Sequence, residues 1–407
     1  MKGKFLGGAS NVGSLGMVLD TGTERLLFDY GITPDEPPGF PMKAPKVDAA
    51  FVTHAHVDHS GAIPWLCSMQ QPDIYATPPT AEIGLMLMDD TIKVAESEGH
   101  HLPFGKMHVQ TARRLFEYLD YGDSARVGKT EVTAHDAGHI PGASSFEISG
   151  DHTVLFTGDI HTIETNLVNG AQPVKCDTLV VESTYAGRTH PNRLKTEHSF
   201  VSKVEEVVDR GGMAIVPAFA VGRTQEIMML LMHSHRDMWL DGMGKRVNVA
   251  YLDMQDYIIS PKRLRKAMHR FRPVRNYGER KKAMGAQVVV TTSGMLDGGP
   301  VLSYLENLRN DTNCAVLLTG YQVEGTNGRL LHDEGMVEFY GVKQKINCEV
   351  EFYDLSAHAD HGQLLKFIRA CDPTKIVLMH GEERKLLAQD LEEFEVIMPM
   401  EGEEFNL

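Results

Sequence analysis

Short apolar bursts separated by turn residues dominate the first fifty positions. KFLGGA, SLGMVLD and ERLLFDYG each suit a strand, and Thr21-Gly22-Thr23 joins the last two into a meander. The run VDAAFVTHA reads as a buried strand leading into HAHVDH (54–59) and then the helix-like SGAIPWLCS. Strand DIYATP follows, then AEIGLMLMDDTIKVAES and TARRLFEYLD, where apolar residues return every three to four positions as in amphipathic helices. Strand texture resumes in HDAGHIPGASSFEI, a hairpin, VLFTGDIH and TLVVESTY. From about 188 the pattern alternates helix and strand: KTEHSFVSKVEEVVDR, GMAIVPAF, GRTQEIMMLLMHS, VNVAYLD (in strand position), SPKRLRKAMHRF, AQVVVTTS, PVLSYLENL and NCAVLLTGY. Such alternation predicts a mostly parallel sheet with helical crossovers. Ser260-Pro261 marks a helix start, with Ser as cap and Pro in the first turn. The last sixty residues return to strand-to-helix steps in EVEFYDLSAHADHGQLLKFI and KIVLMHGEE, so the segment from 188 to the mid-340s reads as a domain inserted within another. The ending EVIMPMEGEEFNL fits an edge strand open to homodimer formation, or a solvated tail.

The length of 407 residues allows two or three cores, and 42% hydrophobic content is that of a globular chain. No apolar run approaches the roughly eighteen residues of a membrane span, and Met1-Lys2-Gly3-Lys4 leads straight into a strand, so a soluble, cytosolic protein with no membrane partner is expected. The five scattered cysteines form no CxxC pair and suggest core residues rather than disulfides. A net charge of −15 argues against a general nucleic-acid coat, but residues 262–282 hold ten of the forty basic residues and one acid, leaving the remainder near −24. A basic face on an acidic body can steer a polyanion to one place.

The chemistry concentrates in HAHVDH. On an extended segment His54 and His56 point to one side and can meet one ion. Asp58 and His59, at the following helix start, can reach a second ion, and two ions roughly 3.5–4 Å apart clamp phosphate esters for hydrolysis. Asp29, ending the third strand, is placed to orient a ligating imidazole. Downstream, His139 lies in a Gly/Pro-rich loop and Asp159 ends a buried strand; His135 and His161 compete with them, and spacing alone does not decide. Glu182 ends another strand, while His358 and His380 each follow a strand and precede a helix. Glycine turns after the later strands, SGMLDGG and GYQVEGTNG, can offer backbone N–H groups to phosphates.

Taken in order, HAHVDHSG, GHIPGASS, FTGD, ESTY, PAFAVGRTQE, TTSGML, GYQVEGT, SAHAD and MHGEE resemble the metallo-β-lactamase superfamily, and within it the β-CASP nucleases. The likeness runs over nearly the whole chain. It extends to the endonuclease subunit of eukaryotic pre-mRNA 3′-end processing and to short archaeal homologues without KH domains. The resemblance implies an α/β protein: an αββα metallo-β-lactamase sandwich made of 1–187 and 348–407, with a parallel-sheet β-CASP domain, 188–347, inserted as a lid and RNA entering between them. It implies two Zn²⁺ ions, one held by His54, His56 and His139, the other by Asp58, His59 and His380, with Asp159 bridging; manganese and iron also suit such donors. Glu182, His358 and His380 match motifs A, B and C.

The expected activity is a zinc-dependent ribonuclease, cutting internally or also degrading 5′→3′, that leaves 5′-phosphate and 3′-hydroxyl ends. Its setting would be RNA 3′-end processing, transcription termination or decay, with partners from those machineries. Asp58 would orient the nucleophile, and His358, held by Glu182, would protonate the leaving ribose oxygen. Ser293, Gly294, Arg223, Arg263, Arg265 and Arg270 are the candidate RNA contacts. Competing expectations are a DNA-processing relative, which tends to carry valine at the position of His380, and a catalytically silent RNA-binding scaffold, which would have lost ligands that this chain keeps.

Overall fold

The computed structural model describes residues 1–33 and 37–407, which divide into two compact units: Met1–Glu164 with Val168–Thr189 and Ala357–Leu407, and Thr165–Leu167 with His190–Ser356. In the first unit, strands Lys2–Gly7, Gly16–Asp20 and Arg25–Phe28 form the expected antiparallel meander. Ala49–Phe51, Asp73–Ala76 and Phe116–Tyr118 continue it in parallel, and Glu404–Asn406 lies outside Lys2–Gly7, giving seven strands. A second seven-stranded sheet runs Glu395–Ile397, Lys375–Met379, Thr178–Glu182, Val154–Phe156, Ser144–Ser149, Thr130–Asp136, Ser124–Val127; its first four strands are mutually parallel and the rest antiparallel.

Side-chain alternation explains why these strands read as unbroken apolar runs. Phe5, Met17, Leu19, Leu26 and Phe28 face Phe146, Ile148, Phe156, Val180 and Val377 of the other sheet. Their chain neighbours Leu6, Val18 and Leu27 point the opposite way, onto Leu66, Leu85, Met88, Ile92, Val109 and Ala112 of helices Ile63–Met69, Pro78–Glu98 and Lys106–Leu115. A strand covered on both faces has no polar side to show. Helix His361–Cys371 buries Leu364, Phe367, Ile368 and Cys371. The layers are therefore helix, sheet, sheet, helix.

The second unit carries a wholly parallel six-stranded sheet, in the order Phe271–Pro273, Met238–Asp241, Val288–Thr291, Ala214–Pro217, Ala315–Leu318, Glu349–Phe352, with a separate hairpin Met336–Phe339/Val342–Lys345.

Several expectations change. The helix expected over TARRLFEYLD ends at Leu115, and Phe116–Tyr118 pairs with Asp73–Ala76 instead. VNVAYLD lies within helix Gly244–Asp253, where Val247 and Tyr251, one turn apart, are buried while Val249 is 52% exposed; the strand is the fully buried MWLD before it. Ser260 precedes helix Pro261–Arg270 without a side-chain cap bond. The boundaries expected at 187/188 and 347/348 fall at 189/190 and 356/357, because Glu349–Phe352 pairs with Ala315–Leu318 and so belongs to the inserted sheet. The C-terminal stretch forms edge strands, as one of the two expectations had it, but two of them rather than one: Glu395–Ile397 is the edge of one sheet of the sandwich and Glu404–Asn406 the edge of the other.

Candidate metal centre

Strands Ala49–Phe51, Val154–Phe156, Thr178–Glu182 and Lys375–Met379 each have a parallel neighbour, and each carries a site residue at or just past its carboxyl end. Thus His54, Asp159, Glu182 and His380 come from separate strands yet reach one edge of the sandwich, as strand ends of parallel sheets do. His139 enters from the loop after Thr130–Asp136. Asp58 and His59 sit in the four-residue helix Val57–Ser60, which is pressed so close to Gly31 that a Cβ there would lie 1.7 Å from the Asp58 carbonyl oxygen. Only glycine fits at that point.

Three nitrogens converge first: His56 Nδ1 is 3.1 Å from His54 Nε2 and 3.2 Å from His139 Nε2. The outward nitrogens fix the protons. His139 Nδ1 is 2.7 Å from the Ala357 carbonyl and must donate to it, leaving Nε2 with a lone pair. The Thr53 hydroxyl donates to Asp29 and therefore accepts from His54 Nδ1, 3.1 Å away, so His54 Nε2 is also a lone pair. His59 Nδ1 lies 2.8 Å from Asp29 Oδ2, which turns its Nε2 inward as well. Asp29 thus holds His59 directly and His54 through Thr53. Thr53 and the Ala357 carbonyl belong to the site but carry no spacing signal by which a sequence could reveal them.

The second group is Asp58, His59 and His380: Asp58 Oδ2 is 3.7 Å from both His59 Nε2 and His380 Nε2. Asp159 lies between the groups, with Oδ2 3.5 Å from His54 Nε2, 3.3 Å from His59 Nε2 and 3.9 Å from His139 Nε2, and Oδ1 3.7 Å from His380 Nε2. His56 Nε2, His59 Nε2, Asp159 Oδ1 and both nitrogens of His380 are buried without a hydrogen-bond partner. Of these, His59 Nε2, Asp159 Oδ1 and His380 Nε2 face into the cluster, and burying such polar atoms together is costly unless a cation sits among them. The donor set fits divalent metal ions.

Burial drives the imidazoles of His54 and His139 well below the usual histidine range and lowers His56 and His380, so all four are neutral and ready to ligate. Burial acts on His59 too, but Asp159, Asp58 and Asp29 outweigh it and raise its pKa. Asp159 is pushed up by burial and pulled well below the carboxylate range by His59, His380 and His358.

His358 stands beside the clusters, its ring centroid 4.6 Å from that of His139. Its Nδ1 meets the Glu182 oxygens at 3.2 and 3.1 Å, and Glu182 Oε1 also accepts from the Ile160 amide at 2.7 Å. Burial opposes the charged ring, but Glu182 and then Asp159 raise its pKa to about 9. Nearby cations would lower it toward the neutral range.

Of the competitors, His135 is tied to Glu147 at 2.8 Å on the sheet surface, while His161 is buried, its amide bonded to the Ala137 carbonyl. The candidate RNA contacts fare unevenly. Arg223 is buried, and Arg270, half-buried, donates to the Ser234 carbonyl just past helix Arg223–Leu230. Gly294 packs against Phe219 and its carbonyl accepts from Gln322, while Ser293 is half-buried. Arg263 is exposed and donates to Asn166; Arg265 is exposed.

Three family models match: the metallo-beta-lactamase superfamily over residues 11–192, the Beta-Casp domain over 224–331 and the Zn-dependent metallo-hydrolase RNA specificity domain over 343–399. The chain is 34% identical to a probable RNase, MJ4, of Methanocaldococcus jannaschii, over 99% of both chains. It is 33% identical to RNase aCSPSF2 of Saccharolobus solfataricus, covering 99% of this chain and 85% of that one. It is also 33% identical to the transcription termination factor FttA of M. jannaschii, over 94% of this chain and 67% of the relative. A crystal structure of a protein of unknown function from Enterococcus faecalis V583 shares the fold, with a TM-score of 0.61 at 15% identity over 100% of this chain and 99% of that one.

Proposed function

Because the chain belongs to the metallo-β-lactamase superfamily, in the branch that carries Beta-Casp and RNA-specificity domains, we propose that it is a zinc-dependent ribonuclease. It hydrolyses RNA phosphodiester bonds to 5′-phosphate and 3′-hydroxyl ends, as an endonuclease with 5′→3′ trimming, in the cytoplasm. The observation that carries this reading is the convergence of inward lone pairs on two adjoining ligand sets beside the His358–Glu182 pair. The relatives named as RNases and as a transcription termination factor support RNA as substrate and 3′-end processing or termination as the setting.

His54, His56 and His139 would hold one Zn²⁺, Asp58, His59 and His380 the other, and Asp159 both. Such a pair supplies an acidified water and neutralises charge on the attacked phosphate. The chain's own groups do the rest. Asp58, 22% exposed in its side chain, faces solvent enough to accept a hydrogen bond from the incoming water and aim it. Asp29 and Thr53 keep the ligating rings in one tautomer, so no side-chain reorganisation is needed when charge develops. Glu182 anchors His358 Nδ1, which leaves Nε2 as the proton donor to the departing ribose oxygen.

The test is a time course with zinc-loaded protein and RNA labelled at either end, bearing 5′-triphosphate or 5′-monophosphate. Discrete internal fragments appearing first, followed by mononucleotides from 5′-monophosphorylated products, is the expected pattern. Intact RNA beside cleaved single-stranded DNA would overturn the assignment.

The basic run gives a separate expectation. Lys262, Arg265, Lys281 and Lys282 are exposed. Replacing these four by alanine should weaken binding of long RNA and reduce the slope of log K against log salt by about 0.7 per lost phosphate contact on a single strand. Arg270→Ala alone should instead lower Tm through the Ser234 carbonyl. An unchanged slope in the fourfold variant would put the RNA elsewhere.

A further inference from the structure

His380 sits in a left-handed backbone conformation, φ 52°, directly after the strand that delivers it. A non-glycine residue stays in that region only where its surroundings over-determine it. Here the His380 amide donates to two carbonyls at once, Gly8 at 3.0 Å and Ala9 at 3.1 Å. Those carbonyls belong to the turn after the first strand, a turn folded so tightly that a Cβ on Gly8 would lie 2.6 Å from the Leu15 Cα. The amides of the same turn point at the side chain of Glu401. Its Oε1 accepts from the Ala9 amide at 3.0 Å, the Ser10 amide at 2.9 Å and the Ser10 hydroxyl at 2.9 Å, while Oε2 lies 3.0 Å from that hydroxyl. One carboxylate therefore gathers successive N–H groups into an anion nest.

Glu401 is itself fixed from the other side. The stretch from Pro399 to Gly402 crosses from Glu395–Ile397, on the edge of one sheet, to Glu404–Asn406, on the edge of the other. The buried Arg384 guanidinium donates to the Pro399 carbonyl at 2.8 Å and to the Leu378 carbonyl, two residues before His380, at 3.2 Å. The Gly402 amide closes onto the Phe5 carbonyl at 2.8 Å. The tail crossing, the turn at Gly8 to Ser10 and the His380 segment thus form one ring of hydrogen bonds.

We propose that Glu401 is a positioning residue for the ligand set of Asp58, His59 and His380: by holding the turn whose carbonyls carry the His380 amide, it sets the direction of the His380 imidazole. The proposal rests on the metal-centre reading above. It assigns a role in the site to a residue outside every matched family segment.

Full-length protein reconstituted with Zn²⁺ gives the test, read as bound ions per chain and their loss to a chelator, without RNA. Outer partners of metal ligands are worth about 10–100-fold in affinity. Glu401→Ala should lose one of two ions about 10-fold or more readily, and the other at the wild-type rate. Glu401→Gln, which keeps acceptors for Ala9 and Ser10, should restore retention, and added acetate should restore it in part in the alanine variant. A purely structural role would lower Tm while leaving both ions held alike below it, and that result overturns the proposal. Should the alanine variant fail to fold, Glu401→Asp decides in its place: wild-type retention of both ions despite the shorter reach also overturns it. A wild-type protein that binds no second ion would instead remove the metal-centre reading, so the two failures are distinguishable.

Discussion

Replacing His358 by alanine is expected to slow RNA cleavage by about 10²–10⁴-fold, the range that a positioned general acid supplies, while zinc content stays at the wild-type level. The separation is possible because His358 Nδ1 is spent on Glu182 and the ring stands beside the ligand sets as a proton donor. Glu182→Gln should follow the same pattern more weakly. The imidazole would keep its place but lose the carboxylate that favours its charged form. Since the Glu182 carboxylate raises the His358 pKa, the acid limb of activity is unaffected by His358 and the basic limb reports it. Activity falls as pH rises through that pKa, and in Glu182→Gln the fall should move to lower pH. Single-turnover rates across pH, with zinc measured on the same samples, check both. Full activity in His358→Ala would remove the residue from the mechanism.

Asp159→Asn should be more damaging and damaging in a different way: zinc falls below two ions per chain and cleavage falls with it, past the about 10–100-fold that loss of an outer partner costs. Asp159 carries the one carboxylate within 4 Å of ring nitrogens in both ligand sets among the described residues. The amide is isosteric, so packing survives, yet it removes the charge that would balance the proposed ions and places an NH₂ or a neutral oxygen among the imidazoles. Zinc stoichiometry after gel filtration, beside near-UV circular dichroism to establish folding, reads this out. Two ions retained at wild-type affinity would confine Asp159 to a structural role.

The alternating and unbroken apolar runs revealed most of the sandwich strands and the three central strands of the parallel sheet, Val288–Thr291, Ala214–Pro217 and Ala315–Leu318, because each buries one face or both against a core that demands those residues. Errors fell where period and context compete. VNVAYLD is β-branched and short, yet its buried positions are spaced by a helical turn, and FEYLD looks like the end of a helix but pairs as a strand. HAHVDH declared itself because four metal-capable side chains lie within six residues. His139, Asp159 and His380 carry no such density: each is one residue at a strand end, and only the fold, or the resemblance of the surrounding motifs, gathers them. Thr53, the Ala357 carbonyl and Glu401 were out of reach, since what matters there is a hydroxyl's orientation, a backbone oxygen and a contact across 391 residues.

The strand that delivers His380 also bears on how the protein is made. Lys375–Met379 lies inside its sheet, between Thr178–Glu182 and Glu395–Ile397. A ribosome emits Thr178–Glu182 and then all of His190–Ser356 before that partner exists. At synthesis rates of roughly 5–20 residues per second, the interval is on the order of tens of seconds. Throughout it the nascent chain presents an unpaired parallel edge and holds His54, His56, Asp58, His59, His139 and Asp159 without His358 and His380. Translation therefore supplies most of the candidate site early and withholds its last strand, with His380 at the end, until the whole inserted unit has been made.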